Sequence, residues 1–181
     1  MILPQSHTLT TRHLNRVFDN TVATYKYYWF LGILDACVKQ GKSRINVWDI
    51  MISMVANAWY PVNYFRLSFG KSESLYDAIL TLQREYNIPI NIGINELTEL
   101  LKTLVQRREV RRMLNFLQQN VPFRFLRPWI DTSDDRQTVL RSQTFENGCL
   151  YKLERIDHIW WVEINPAWLP YLCENYDILT S

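Results

Sequence analysis

Tyr27-Tyr28-Trp29-Phe30-Leu31-Gly32-Ile33-Leu34 is the longest apolar run in the chain. It is apolar nearly all round at helical spacing, the pattern of a helix buried on most of its faces. Thr21 or Thr24 can cap such a helix, and it runs to Gln40 with Gly41 where a C-terminal glycine belongs. Eight residues fall far short of the ~20 apolar residues needed to cross a bilayer, so the run reads as the central helix of a folded core. A short amphipathic helix over residues 10–18, with Leu14, Val17 and Phe18 on one side, precedes it across the break Asp19-Asn20.

Downstream, Ser43 to Val47 reads as a brief extended stretch, and Asn46 can cap the next helix with Asp49 three residues on. Ile50, Met51, Met54, Val55, Ala58 and Trp59 recur at helical spacing until Pro61, which is expected to end that helix. Val62 to Phe69 is aromatic and irregular, closing at Gly70. Ser74 with Asp77 offers a further cap for a helix to about Tyr86, and Ile88 to Ile94 reads as a connection. Asn95 is expected to cap a helix through Leu104, and another helix runs from about Arg107 to Gln119, stopped by Asn120 and Pro122.

Val121, Phe123 and Phe125 then alternate with Pro122 and Arg124 as in an edge strand. Asp131 to Asp135 is the best candidate linker. Leu150 to Leu153 and His158 to Ile164 flank Glu154 to Asp157 as a hairpin, and Pro166 can start a short last helix carrying Trp168, Leu169 and Leu172. The expected fold is α+β and predominantly α: a helical core over residues 1–130, then a linker, β-hairpin and short helix over 131–181 packing on it. The order helix, short strand, helix and late hairpin permits a winged-helix-like arrangement.

Seven Trp, ten Tyr and eight Phe promise a firm core and favour interfaces equally. Three widely spaced cysteines, Cys37, Cys149 and Cys173, read as reduced thiols rather than a disulfide framework. With no signal peptide and no apolar span, the expected location is cytoplasmic, with no membrane partner. The net charge is only +2, but residues 102–127 carry +6 and the remainder −4. A concentrated basic patch on an otherwise acidic chain points to a polyanionic partner.

Arg107, Arg108, Arg111 and Arg112 stand at i, i+1, i+4 and i+5, an arc of about 140° on one side of a helix. Val110, Met113, Leu114, Phe116 and Leu117 fill the other side. The planar guanidinium fork suits phosphate, while a solvated or protein-contacting face is the plainer alternative. Arg124 and Arg127, interleaved with Phe123, Phe125 and Trp129, extend the set, and Lys102 is a weaker member.

Other chemistry fails on spacing. Asp157-His158-Ile159 with Asn165 resembles part of a His-metal nuclease motif, but no His follows residue 158 to supply a second ligand. His158 is expected in a strand in a structural role. The cysteines and histidines lack paired zinc-ligand spacings, no glycine-rich phosphate loop is present, and no nucleophile elbow occurs. No catalytic residue, cofactor or small-molecule substrate is assigned to this chain.

Three stretches, Met1-Ile-Leu-Pro-Gln-Ser-His7, Ala23-Thr-Tyr-Lys-Tyr-Tyr-Trp-Phe30 and Ala56-Asn-Ala-Trp-Tyr-Pro-Val-Asn-Tyr-Phe-Arg-Leu-Ser-Phe-Gly-Lys71, resemble the N-terminal region of bacterial HNH-endonuclease-domain proteins. The resemblance is sharpest over about the first 70 residues. It implies the non-catalytic part of such a nuclease, recognising or positioning DNA, in restriction of foreign DNA or phage defence. The divalent metal and its His-Asn-His ligands would then belong to a segment after Ser181, so no catalytic position carries over. The alternative expectation is a protein-interaction or homodimerisation module, with Trp59 to Phe69 and Trp160-Trp161 as its aromatic surface.

Overall fold

The computed structural model describes residues 3–19, 24–66 and 74–181. Its elements in order are α1 (Arg12–Phe18), α2 (Thr24–Leu34) continued by a widened π-helical turn (Asp35–Lys39), β1 (Arg44–Asn46), α3 (Val47–Asn63), α4 (Ser74–Glu85), α5 (Ile94–Leu104) and α6 (Arg108–Leu126). There follow α7 (Asp135–Ser142), β2 (Tyr151–Ile156), β3 (Ile159–Ile164), a 3-10 turn (Pro166–Trp168), α8 (Leu169–Glu174) and α9 (Tyr176–Leu179). The architecture is α+β and predominantly α.

Helix α2 is the interior helix that its composition predicts, with Trp29, Phe30, Ile33 and Leu34 removed from solvent. It lies against α3, whose Asn46 cap forms as expected, the side chain accepting from the Trp48 N–H at 2.9 Å. Gly32 is what allows the approach: a Cβ there would stand 2.8 Å from Ile50 Cγ2 and 3.1 Å from the Ile50 carbonyl oxygen. Beyond the π turn, Gly41 takes φ +64°, the left-handed conformation expected of it.

The core is organised by aromatic rings. Phe125 of α6 lies 6.1 Å from Phe30, 6.3 Å from Phe18, 5.9 Å from Tyr151 and 6.2 Å from Trp129, ring centre to ring centre. Trp129 continues the series to Trp168 at 6.0 Å. The Tyr151 hydroxyl is fully buried, donates to the Pro122 carbonyl at 2.6 Å and accepts from Trp29 Nε1 at 3.2 Å.

This arrangement corrects the reading of residues 120–127. They are the second half of α6, not a strand, and Asn120 and Pro122 do not stop the helix. A proline inside a helix costs about 3 kcal/mol, but Val121, Phe123, Phe125 and Leu126 are all buried by continuing it, at roughly 1.5–3 kcal/mol each. Pro61 likewise lies inside α3, which continues to Asn63. Gly93, not Asn95, occupies the cap position of α5. The Thr21 cap and residues 67–70 of the aromatic segment lie outside the described residues.

Residues 131–134 connect α6 to α7 outside helix and strand. Asp134 accepts from the N–H groups of Arg136 and Gln137 and caps α7, a helix unforeseen in the sequence because its eight residues carry little apolar pattern. Helix α7 covers the free edge of β2: Ser142 Oγ accepts from the Leu153 N–H at 3.1 Å, and Gln143 Nε2 donates to the Leu153 carbonyl at 2.7 Å. The sheet is antiparallel in the order β1-β3-β2. The hairpin therefore pairs with the strand preceding α3, as in a winged helix, although α3 to α7 all intervene. Its strands reach Ile156 and Ile159, and the turn residues Asp157 and His158 both have positive φ (48° and 65°), the pattern of a type I′ turn. His158 is thus exposed at a turn rather than held in a strand.

Two outcomes follow from the packing. Alanine ordinarily adds about 1 kcal/mol over glycine in a helix, but Gly32→Ala is expected to destabilise the protein by about 1–3 kcal/mol in urea unfolding, because the Ile50 backbone cannot give way. Burial pushes the Cys37 and Cys149 thiols up to about 12, so both stay protonated at pH 8. A thiolate-specific reagent at pH 8 should label the exposed Cys173 alone in the native protein and all three cysteines in denaturant.

Candidate nucleic-acid interface

Helix α6 begins immediately after Arg107, whose backbone is extended (φ −79°, ψ 135°). Arg107, Arg108, Arg111 and Arg112 therefore crowd its first turn and a half. That is the positive end of the helix dipole, where a cation costs stability rather than adding it. All four side chains are exposed, but they divide into two pairs.

Arg107 and Arg111 are held by the protein. The Arg107 guanidinium lies 5.4 Å from the centre of the Tyr86 ring. Arg111 Nε donates to the Val105 carbonyl at 2.7 Å, and its guanidinium lies 5.5 Å from the Trp48 ring centre. Arg111 thereby ties the C-terminal end of α5 to the start of α6, satisfying a carbonyl that the helix leaves free. Arg108 and Arg112, four residues apart on one stripe, are exposed and have no such anchor among the described residues.

Arg124 and Arg127 do not extend this stripe. Along a continuous helix, Arg124 stands ~18 Å beyond Arg112 and about 120° further round. They form a second cluster with Lys26 of α2, which sequence reasoning missed. Partial burial, and then the charges of Arg127 and Arg124, push the Lys26 ammonium below its ordinary range. A lone lysine between Tyr25 and Tyr27 was the available signal. Lys102 drops out of the set, since it pairs with Glu99 at 2.6 Å.

Five further carboxylates pair with basic residues elsewhere. Asp35 pairs with Lys39, Asp49 with Lys42, Glu154 with Arg44, Glu163 with Lys152 and Glu146 with Arg141. Among the described residues, none of Arg107, Arg108, Arg111, Arg112, Arg124 and Arg127 takes part in an ion pair. Nor do the described residues bring together three His, Cys, Asp or Glu side chains able to hold a metal ion.

The division between held and free arginines has a measurable consequence. Arg111→Ala should cost about 1 kcal/mol in chemical denaturation, through its lost carbonyl bond and ring contact. Arg108→Ala and Arg112→Ala should each stay within about 0.5 kcal/mol of the parent, with any shift toward greater stability. No protein-family model, curated protein or solved structure matches the chain.

Proposed function

We propose that this chain is a nucleic-acid-binding domain that docks on the phosphate backbone through the N-terminal end of α6. The observation that carries the reading is that Arg108 and Arg112, at the positive end of α6, have no ion pair or hydrogen bond to a side chain among the described residues. Packing does not require Arg108 or Arg112, and helix stability opposes them. A polyanion supplies the missing countercharge, and guanidinium groups beside free helix N–H groups are suited to phosphate oxygens.

Arg108 and Arg112 make the mobile phosphate contacts, while Arg107 and Arg111 add fixed positive potential beside them. Lys26, Arg124 and Arg127 form a separate electropositive cluster on another face, reached by a bent or wrapping strand. Such contacts give affinity and register without reading sequence. The resemblance of residues 1–7, 23–30 and 56–71 to HNH-endonuclease-domain proteins fits a domain that holds DNA for a metal-dependent nuclease segment.

A second reading, self-association, is favoured by one observation. Tyr60, Tyr64 and Phe65 are 46%, 62% and 59% exposed and in ring contact, Tyr60 and Tyr64 stacked with ring centres 4.9 Å apart and Phe65 edge-on to both. Trp59 is not part of this surface, being buried in the core. Trp160 and Trp161 face opposite sides of the sheet and are each half-buried, against Phe123 and Arg44 respectively.

The phosphate reading is tested by anisotropy of labelled duplex DNA across a salt series. Each lost phosphate contact lowers the slope of log K against log salt by about 0.9, so the double variant Arg108→Ala/Arg112→Ala should lower it by roughly 1.8. Absence of duplex binding at low salt, or an unchanged slope, would remove this function. Light scattering on the same samples decides the second reading, which requires a dimer that Tyr64→Ser disperses.

A further inference from the structure

The stripe that carries Arg108 and Arg112 continues along α6 through Asn115 and Gln119 into an open groove. Its walls are α6, α7 and the tip of the β2–β3 hairpin, and its volume is about 940 Å³, at the upper end of the range for small-ligand sites. One largely buried residue of α6 presents its amide to it. Gln118 is 8% exposed, lines the groove and makes no hydrogen bond among the described residues. Its amide atoms are open to the groove, so a ligand there can reach both the donor and the acceptor. Pro122, having no N–H, also leaves the Gln118 backbone carbonyl without its usual helical donor.

The rest of the groove has complementary chemistry. Asn115, Gln119 and Asn120 add further amides on the same wall. Opposite them, the Trp160 ring is braced edge-on by Phe123 at 5.3 Å and covered by the Arg155 guanidinium at 5.6 Å. Arg136 and His158 stand at the rim. Amides that donate and accept in one plane match the edge of a nucleobase, a tryptophan face stacks on its ring, and arginines take its phosphate.

We infer that this groove binds a single unpaired nucleotide, its base on Trp160 with its edge to Gln118 and its phosphate toward Arg155 and Arg136. The arriving base takes the place of the Arg155 guanidinium on the ring and frees that guanidinium for the phosphate. This deepens the nucleic-acid reading and rests on it in one respect: the arginine stripe leads a strand into the groove. The nucleotide comes either from a single strand or from solution, and the chemistry of recognition is the same.

The test uses the full chain with a short labelled single-stranded oligodeoxynucleotide of mixed sequence, and with the four deoxynucleoside monophosphates as competitors. Gln118→Leu and Arg155→Ala should each weaken oligonucleotide binding about tenfold and leave duplex affinity within about twofold, since neither carries the Arg108 and Arg112 contacts. Arg155 is exposed, so its substitution keeps the test valid should Gln118→Leu lower the melting temperature. Competition by monophosphates at millimolar concentration supports the site with a free nucleotide as ligand, and lack of competition supports it with a strand. Oligonucleotide binding that is absent, or indifferent to both substitutions while duplex binding persists, overturns the groove and leaves the phosphate interface standing. Loss of both kinds of binding in the parent protein overturns the two together.

Discussion

Phe125 can occupy the centre of the aromatic core only if α6 runs unbroken past Pro122. That requirement shapes the rest of the molecule. Phe18, Phe30, Tyr151 and Trp129 all close on Phe125, so α1, α2, β2 and the chain leading to α7 are positioned by one side chain. The Tyr151 hydroxyl on the Pro122 carbonyl secures the helix where its own ladder is weakest, and Trp29 closes the same polar cluster from α2. The same continuity carries the exposed face of α6 from a cationic end to an amide-lined end. A helix stopped at Asn120 would have supplied both and lost Phe123, which braces Trp160 in the groove.

Elements with strong local signals were legible in the sequence. The all-apolar run of α2, the Asn46 cap, the left-handed Gly41 and the two β-prone runs of the hairpin all appear where the residues place them, because each depends on neighbours a few positions away. The misreadings are those in which distant contacts outweigh local propensity. Pro122 reads as a terminator until the buried area of Phe123, Phe125 and Leu126, which follow it in the helix, is counted. Helix α7 after Asp131 to Asp134 goes unread because it is anchored by the edge of β2, not by an apolar face of its own.

For the candidate interface, the sequence located the charge but not its disposition. Arg107, Arg108, Arg111 and Arg112 share one helix end, as their spacing implies. Spacing alone cannot tell that Arg111 is bonded to a carbonyl of the preceding helix while Arg112 has no partner among the described residues. Nor can it place Lys26 beside Arg124 and Arg127, since that cluster is made by the packing of α2 against α6. Gln118 gives no signal at all in sequence. Its interest comes from lining the groove between α6, α7 and the hairpin, a property that exists only once the chain has folded.

The sheet has a consequence for how the molecule comes into being. Strand β1 is a three-residue segment near the start of the chain, and Ile45 finds its partner in Val162 of β3. Contacts so remote in sequence form late, after the entropy of a long loop has been overcome. On a ribosome, the helices up to α6 emerge well before the hairpin, so β1 must wait with its backbone unsatisfied and the rings around Phe125 must wait for Tyr151 and Trp168. The order of synthesis therefore holds the apolar interior open until β2, β3 and Trp168 have been delivered.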